Sequence, residues 1–109
     1  MQIDAVPFMT TNWSTVPETQ HPGAAGVAFW RTLEVGNIRV RMVRYSPDYE
    51  ADHRCSRGHV LLVLAGDLTT DLADGSTHYL GPGVSYQVAS DQVPHRSRTE
   101  NGATLFVVD

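Results

Sequence analysis

The chain reads as an all-β domain that closes into a sandwich or barrel behind an irregular N-terminal arm. Three observations predict this. No stretch holds a helical period over several turns. Short runs rich in Val, Ile, Thr and aromatics alternate apolar with polar residues from Val27 onward. Turn signals built on Gly, Pro, Asn and Asp punctuate those runs at short intervals, which suits about nine or ten short strands in a closed β architecture.

Residues 1–26 form the arm, because Pro7, Pro17, Pro22, Gly23 and Gly26 interrupt any regular element. Phe8 and Trp13 are its expected anchors, since aromatic rings contribute large burial energy where they pack on a core or on a partner subunit. The barrel then occupies residues 27–109. Val27 to Leu33 is the first strand, and Gly36-Asn37 turns the chain. Ile38 to Met42 alternates as a half-buried strand does, with Val40 and Met42 on one side. By that parity Arg44 shares their face, and two readings stay open: an Arg escaping to solvent at the strand end, or one that reaches the barrel pocket and holds an anionic substrate. Ser46-Pro47-Asp48 breaks the run, and Ala51 to Cys55 is short and extended. His59 to Ala65 is a continuous apolar strand, and Asp67 to Leu72 follows Gly66. Asp74-Gly75 signals a type I′ hairpin, with Thr77 to Leu80 as its return. Gly81-Pro82-Gly83 turns again, Val84 to Ala89 is a strand, and Pro94 to Thr99 and Ala103 to Val108 flank an Asn101-Gly102 turn.

At 109 residues the chain is long enough for one domain with a modest core. Its formal charge of −4 excludes a generic nucleic-acid binder, and its eight basic residues, all Arg, are scattered rather than clustered. No apolar stretch nears the roughly 20 residues of a membrane span, and no signal peptide is visible. A single free Cys fits a reducing compartment, so the expected location is cytoplasmic.

The chemistry concentrates in His53-Arg54-Cys55-Ser56-Arg57-Gly58-His59, with His95 downstream after Pro94. In a strand, residues i and i+2 share a face, so His53 and Cys55 would point together, and His59 can rejoin them after the Gly58 turn. Three imidazoles and a thiolate suit a borderline-soft divalent metal: zinc first, with iron, nickel or copper as alternatives. The expected metal set is therefore His53, Cys55, His59 and His95. Cys55 has a shorter reach than imidazole and stands either as a ligand or beside a three-His site. Tyr86 shares parity with Val84 and Val88 and should face the interior, as should Ser97, two residues beyond His95. Isolated His21 and His78 read as ordinary packing or surface histidines.

These residues carry a resemblance to the cupin superfamily, small β-barrels with two sequence motifs. In typical cupins the first motif supplies His, His and Glu, and the second supplies one more His. Counting back from Gly66 puts His59 at the usual Glu, Cys55 at the second His and His53 at the first. His95 sits at the His of the second motif, after the Gly81-Pro82-Gly83 turn. A narrower resemblance, to the small DHCW-motif cupins, lies in Tyr45-Ser-Pro-Asp-Tyr-Glu-Ala-Asp-His53 with Cys55 and Gly58-His59. It continues in Val84-Ser-Tyr-Gln-Val88, His95-Arg-Ser97 and Leu105-Phe-Val-Val-Asp109. Arg54 departs from it, standing where the aromatic residue is expected.

The resemblance implies a double-stranded β-helix, or jelly-roll, barrel. It also implies a metal cage in which Cys55 carries the negative charge that Glu carries elsewhere. It implies no substrate. Three functions remain open: a metal-dependent enzyme of oxygenase or isomerase type on a small polar molecule, a metal or small-molecule binding module with Cys55 as redox-sensitive ligand, and a closed structural metal site. The resemblance also implies a homodimer paired through edge strands, and an exposed edge near Val27 to Leu33 would invite that pairing.

Overall fold

The computed structural model describes residues 1–109. A one-turn 3-10 helix, Trp13–Thr15, precedes nine strands: β1 Glu18–Pro22, β2 Val27–Val35, β3 Ile38–Tyr45, β4 His59–Gly66, β5 Leu68–Leu72, β6 Thr77–Leu80, β7 Ser85–Val88, β8 His95–Arg98 and β9 Ala103–Val108. They form a six-stranded sheet in the order β1-β2-β3-β9-β4-β7 and a three-stranded sheet in the order β6-β5-β8. Every pairing is antiparallel. Side chains from both sheets line one interior cavity, so the architecture is an all-β jelly-roll barrel. No helix is long and apolar enough to cross a membrane.

The core explains why β4 and β9 are the most apolar segments. They lie adjacent inside the larger sheet, and Leu61, Val63, Ala103, Leu105 and Val107 point inward from them. Val43, Leu68 and Leu80 close the cluster from β3, β5 and β6. Inward residues of the larger sheet fall into rows across the strands. Trp30, Val43, Leu105 and Val63 make one row; Thr32, Arg41, Val107, Leu61 and Tyr86 make the next. One pleat further on, Arg39 exchanges two backbone hydrogen bonds with Asp109, and His59 opens β4 opposite Val88. The interior thus changes from apolar to charged over three rows.

At the other end of β4 the chain must turn tightly into β5. The register slips between Val63 and Ala65, and Gly66 takes a φ of 80°. A Cβ there would collide with the carbonyl oxygen of Gly102, so only glycine fits.

Several expectations are corrected. Residues 18–22 of the arm are not irregular but pair with β2 as an edge strand, through a register running from Glu18 opposite Arg31 to Pro22 opposite Val27. That strand covers Val27 to Arg31 of the Val27 to Leu33 edge expected to be free for dimer pairing. Trp13 meets Phe106 edge-to-face at 6.4 Å, whereas Phe8 is 99% exposed and does not pack on the barrel of its own chain. The Asp74-Gly75 turn is not type I′, because only Gly75 has positive φ. Asp74 instead keeps a φ outside the positive range and accepts from the Ser76 backbone N–H and hydroxyl, a side-chain turn of the kind short polar residues favour.

Arg44 is the largest correction. The inward face of β3 is Arg39, Arg41, Val43 and Tyr45, one pleat out of step with the face expected. Ile38, Val40 and Met42 are apolar, but they sit on the outer face. There they share the sheet with Phe106 and the Trp13 of the arm. Arg44 lies on that outer surface too, stacked 4.0 Å over Phe29 and bonded to Glu18. Both faces of β3 carry apolar residues because the arm packs over one and the core over the other, so alternation alone could not choose the inner one.

Candidate metal centre

Cys55 and His95 are brought together by the backbone. They form an isolated antiparallel bridge, in which the Cys55 N–H donates to the His95 carbonyl at 2.7 Å and the His95 N–H donates to the Cys55 carbonyl at 2.9 Å. Residues directly opposite in an antiparallel pair project to the same side. His59 enters from the first position of β4, whose later inward residues Leu61 and Val63 belong to the core. The Gly58 N–H, just before it, donates to the Ser90 hydroxyl at 3.1 Å and ties the loop to the segment after β7. One donor atom from each of Cys55, His59 and His95 falls within 4.8 Å of the others.

The two histidines are set up differently. The His95 ring is buried, with 3% exposure for the residue. Its Nδ1 lies 3.0 Å from the Val93 carbonyl, an oxygen that can only accept. In the neutral ring Nδ1 therefore carries the proton and Nε2 presents the lone pair. That Nε2 is buried with no hydrogen-bond partner. A carbonyl fixing one imidazole nitrogen so that the other presents a lone pair is the arrangement metal-binding histidines use. His59 engages the Tyr86 hydroxyl through Nε2 at 2.8 Å and leaves Nδ1 buried without a partner, 3.8 Å from Asp109 Oδ2. Burial first, and the neighbouring His95 second, pull the His59 pKa down to about 4. The ring is neutral at pH 7, the form a metal takes. On the third donor, the Arg57 backbone N–H donates to Cys55 Sγ at 3.4 Å.

The structure does not bring His53 to the cluster. Residues 52–53 are a bend rather than a strand, so the i, i+2 rule does not apply between His53 and Cys55. The His53 side chain is 77% exposed and pairs with Asp52 at the cavity mouth. The other two histidines lie elsewhere: His21 stacks on Trp30 at 3.8 Å, and His78 meets Ser76 on the hairpin.

The cluster opens onto a cavity of about 240 Å³. Tyr86 and Ser97 line it, together with Trp30, Arg41, Tyr45 and Arg96. Burial is the main cause that pushes the Tyr86 hydroxyl well above the ordinary phenol range, with Tyr45 adding to it. Tyr86 therefore stays protonated and serves as a hydrogen-bonding group rather than a base.

Sequence reasoning missed the charged network behind His59. The Asp109 carboxylate, 1% exposed, accepts from Arg39 Nε at 2.8 Å, Arg39 Nη2 at 2.9 Å and Arg41 Nη2 at 3.0 Å. Burial alone would raise the Asp109 pKa, but the Arg39 hydrogen bonds and the Arg41 and Arg57 charges outweigh it and hold it low. The signal that could have found the network was present. Arg39 and Arg41 alternate with Val40, so a polar inner face of β3 was as consistent with the pattern as an apolar one.

The comparisons bear on the fold. Neither a scan of family models nor a search of curated proteins gives a match. Among solved structures, the chain is similar to an RmlC-like cupin from Shewanella frigidimarina, with 15% identity over 94% of this chain and 89% of that one and a TM-score of 0.75. It is similar to the polyketide cyclase RemF from Streptomyces resistomycificus, with 21% identity over 94% and 78% and a TM-score of 0.77. It is also similar to Fe(II)-HppE, with 16% identity and a TM-score of 0.77, spanning 94% of this chain but only 60% of that longer one. With its two antiparallel sheets, the interior donor cluster and these neighbours, the chain has the fold of the cupin superfamily.

Proposed function

We propose that this chain is a small metal-binding cupin of the DHCW-motif type that holds a divalent transition metal on Cys55, His59 and His95. We assign it as a metal-dependent enzyme acting on a small polar molecule in the barrel interior. The observation that carries this reading is the convergence of the three donors within 4.8 Å, with His95 Nε2 and His59 Nδ1 left buried and unspent. An imidazole nitrogen buried without a partner costs free energy unless something fills its lone pair.

A thiolate and two imidazoles favour zinc, with iron the first alternative; iron is the metal named for the structural neighbour Fe(II)-HppE. Three protein donors leave a tetrahedral metal one open position, which separates this reading from a closed structural site. When bound, such a metal supplies Lewis-acid polarisation or an activated water. The chain's own contribution is to hold His95 in one tautomer through Val93, to orient His59 through Tyr86, and to keep the donors inside a small cavity.

The test is metal analysis of protein purified without chelators, followed by cobalt substitution. The expected result is one equivalent of metal and a sulfur-to-cobalt charge-transfer band that disappears in Cys55→Ser. Cobalt spectra should also respond to small anions at the open position. A protein that binds no metal stoichiometrically, or whose cobalt spectrum is the same in Cys55→Ser, would overturn the assignment. His53→Ala should leave stoichiometry unchanged, because His53 stands outside the cluster.

A further inference from the structure

We propose that the barrel cavity seats a small carboxylate on the Arg41 guanidinium, beside the Cys55, His59 and His95 cluster. The proposal deepens the metal-site reading and rests on it for the placement of the ligand's other end near the metal.

Arg41 is buried, at 8% exposure, and lines the cavity. Its side chain makes one hydrogen bond, from Nη2 to Asp109 Oδ2, and its Nε is buried with no partner. A guanidinium carries five N–H donors in a rigid fork, so most of its capacity is unspent. Leaving charged donors unsatisfied in a protein interior is costly, and an anion in the cavity would remove that cost.

The charges facing Arg41 agree. Arg39 and Arg41 share the single carboxylate of Asp109, and Arg39 takes the two-pronged contact. Arg96, across the cavity, is already matched by Glu50 at 2.6 Å and by the Ala51 carbonyl. Asp52 is exposed and paired with His53, and Arg57, also near Asp109, is 53% exposed and open to solvent. Counting side chains, the enclosed set of Arg39, Arg41 and Asp109 is therefore one positive charge in excess. Consistent with this, burial and the Arg39 charge both push the Arg41 pKa down.

Geometry selects the class of anion. Trp30 lies 4.4 Å from the Arg41 guanidinium carbon, and stacking on an aromatic face holds the fork in one plane. A planar fork matches a planar carboxylate. Val43, Leu61 and Val107 supply apolar wall to the same cavity. The cavity, about 240 Å³, falls below the roughly 300–1,000 Å³ of drug-sized sites, so the ligand's body is short.

Trp30 also supplies the readout. Acetate, pyruvate and benzoate, each against its neutral amide, are titrated into metal-free and zinc-loaded protein at fixed ionic strength and pH 7, with tryptophan fluorescence and calorimetry as detectors. The carboxylates should bind saturably to the metal-free protein, more tightly to the zinc form, and the amides should not compete. Arg41→Gln should weaken carboxylate binding roughly tenfold or more. If Arg41→Gln does not fold by circular dichroism, Arg41→Lys decides, because it keeps the charge but loses the planar fork and should weaken binding several-fold. Arg44→Gln, on the outer face, should change nothing.

The proposal is overturned if no carboxylate in the panel is preferred over its amide up to about 10 mM, or if binding appears only with zinc and is indifferent to Arg41. The two readings fail separately. Zinc binding lost in Cys55→Ser with no carboxylate preference sinks only the anion site. Arg41-dependent carboxylate binding in a protein that never holds zinc sinks only the metal site.

Discussion

Replacing Asp109 with Asn tests whether the charged row beside His59 is held by a compensating carboxylate. The substitution keeps the shape and one acceptor oxygen but removes the charge. Arg39 and Arg41, whose side chains are only 17% and 9% exposed, would then face each other without a counter-ion. Breaking a buried ion pair by neutralising one partner costs about 3–5 kcal/mol, because the remaining charge is stranded. Arg39 is partly open to solvent and keeps one hydrogen bond to the amide oxygen, so the lower end, about 3 kcal/mol, is expected. At an m-value of about 1.5 kcal/mol/M, the urea midpoint falls by about 2 M. The measurement belongs on metal-free protein, since a ligand bound only to the native state would mask the loss. Glu18→Gln is the control: its contacts with Arg31 and Arg44 are exposed, so it should cost less than about 1 kcal/mol. In the double variant Arg39→Gln/Asp109→Asn the losses should fall short of additivity by about 1 kcal/mol or more, because one of the two stranded cations is gone. A midpoint for Asp109→Asn within about 0.3 M of wild type would refute the reasoning.

Three further outcomes follow from the packing. Leu105→Ala, at a position with no exposed surface between β3 and β4, should cost about 2–5 kcal/mol in urea unfolding. Trp13→Ala should cost about 1–2 kcal/mol by removing the ring that covers Phe106, while Phe8→Ala, at an exposed site, should be neutral within about 0.5 kcal/mol. The Tyr45 hydroxyl is pushed up to about 12, mainly by burial and then by Tyr49, which stacks on it at 4.2 Å. Its folded pKa lies above the unfolded value near 10, so this contribution is complete below pH 10 and is lost as pH rises from 10 to 12. Two pKa units correspond to about 2.7 kcal/mol. Tyr45 remains partly open to the cavity, so about half of that is expected. Tyr45→Phe should flatten the stability curve over that interval, and an unchanged slope would count against it.

How far the sequence carries depends on whether a residue's neighbours are local. Strand and turn positions from Val27 onward follow from alternation and from Gly66, Gly75 and Gly102, which the structure holds at positive φ. The proximity of His95 to Cys55 lies in motif order, but the backbone bridge that enforces it joins residues 40 positions apart. Periodicity misplaces the residues whose setting is decided by a distant segment. His53 leaves the expected ligand row because the chain bends at 52–53, and Arg44 leaves the pocket because the arm covers the outer face of β3. That same shift by one pleat delivers Arg41 in place of Arg44. An arginine on an edge-facing surface is cheap and uninformative. An arginine placed in the interior row with Val107 and Leu61 must be matched by partners or by a ligand, because the barrel wall offers it no water. Asp109 matches part of it, and Arg41 lines a cavity that Cys55, His59 and His95 line as well. The misplacement of one strand face therefore concealed the feature that says most about what the cavity binds. The donor cluster calls for a cation and Arg41 calls for an anion, and a small molecule with a carboxylate at one end and a metal-seeking group at the other would answer both at once.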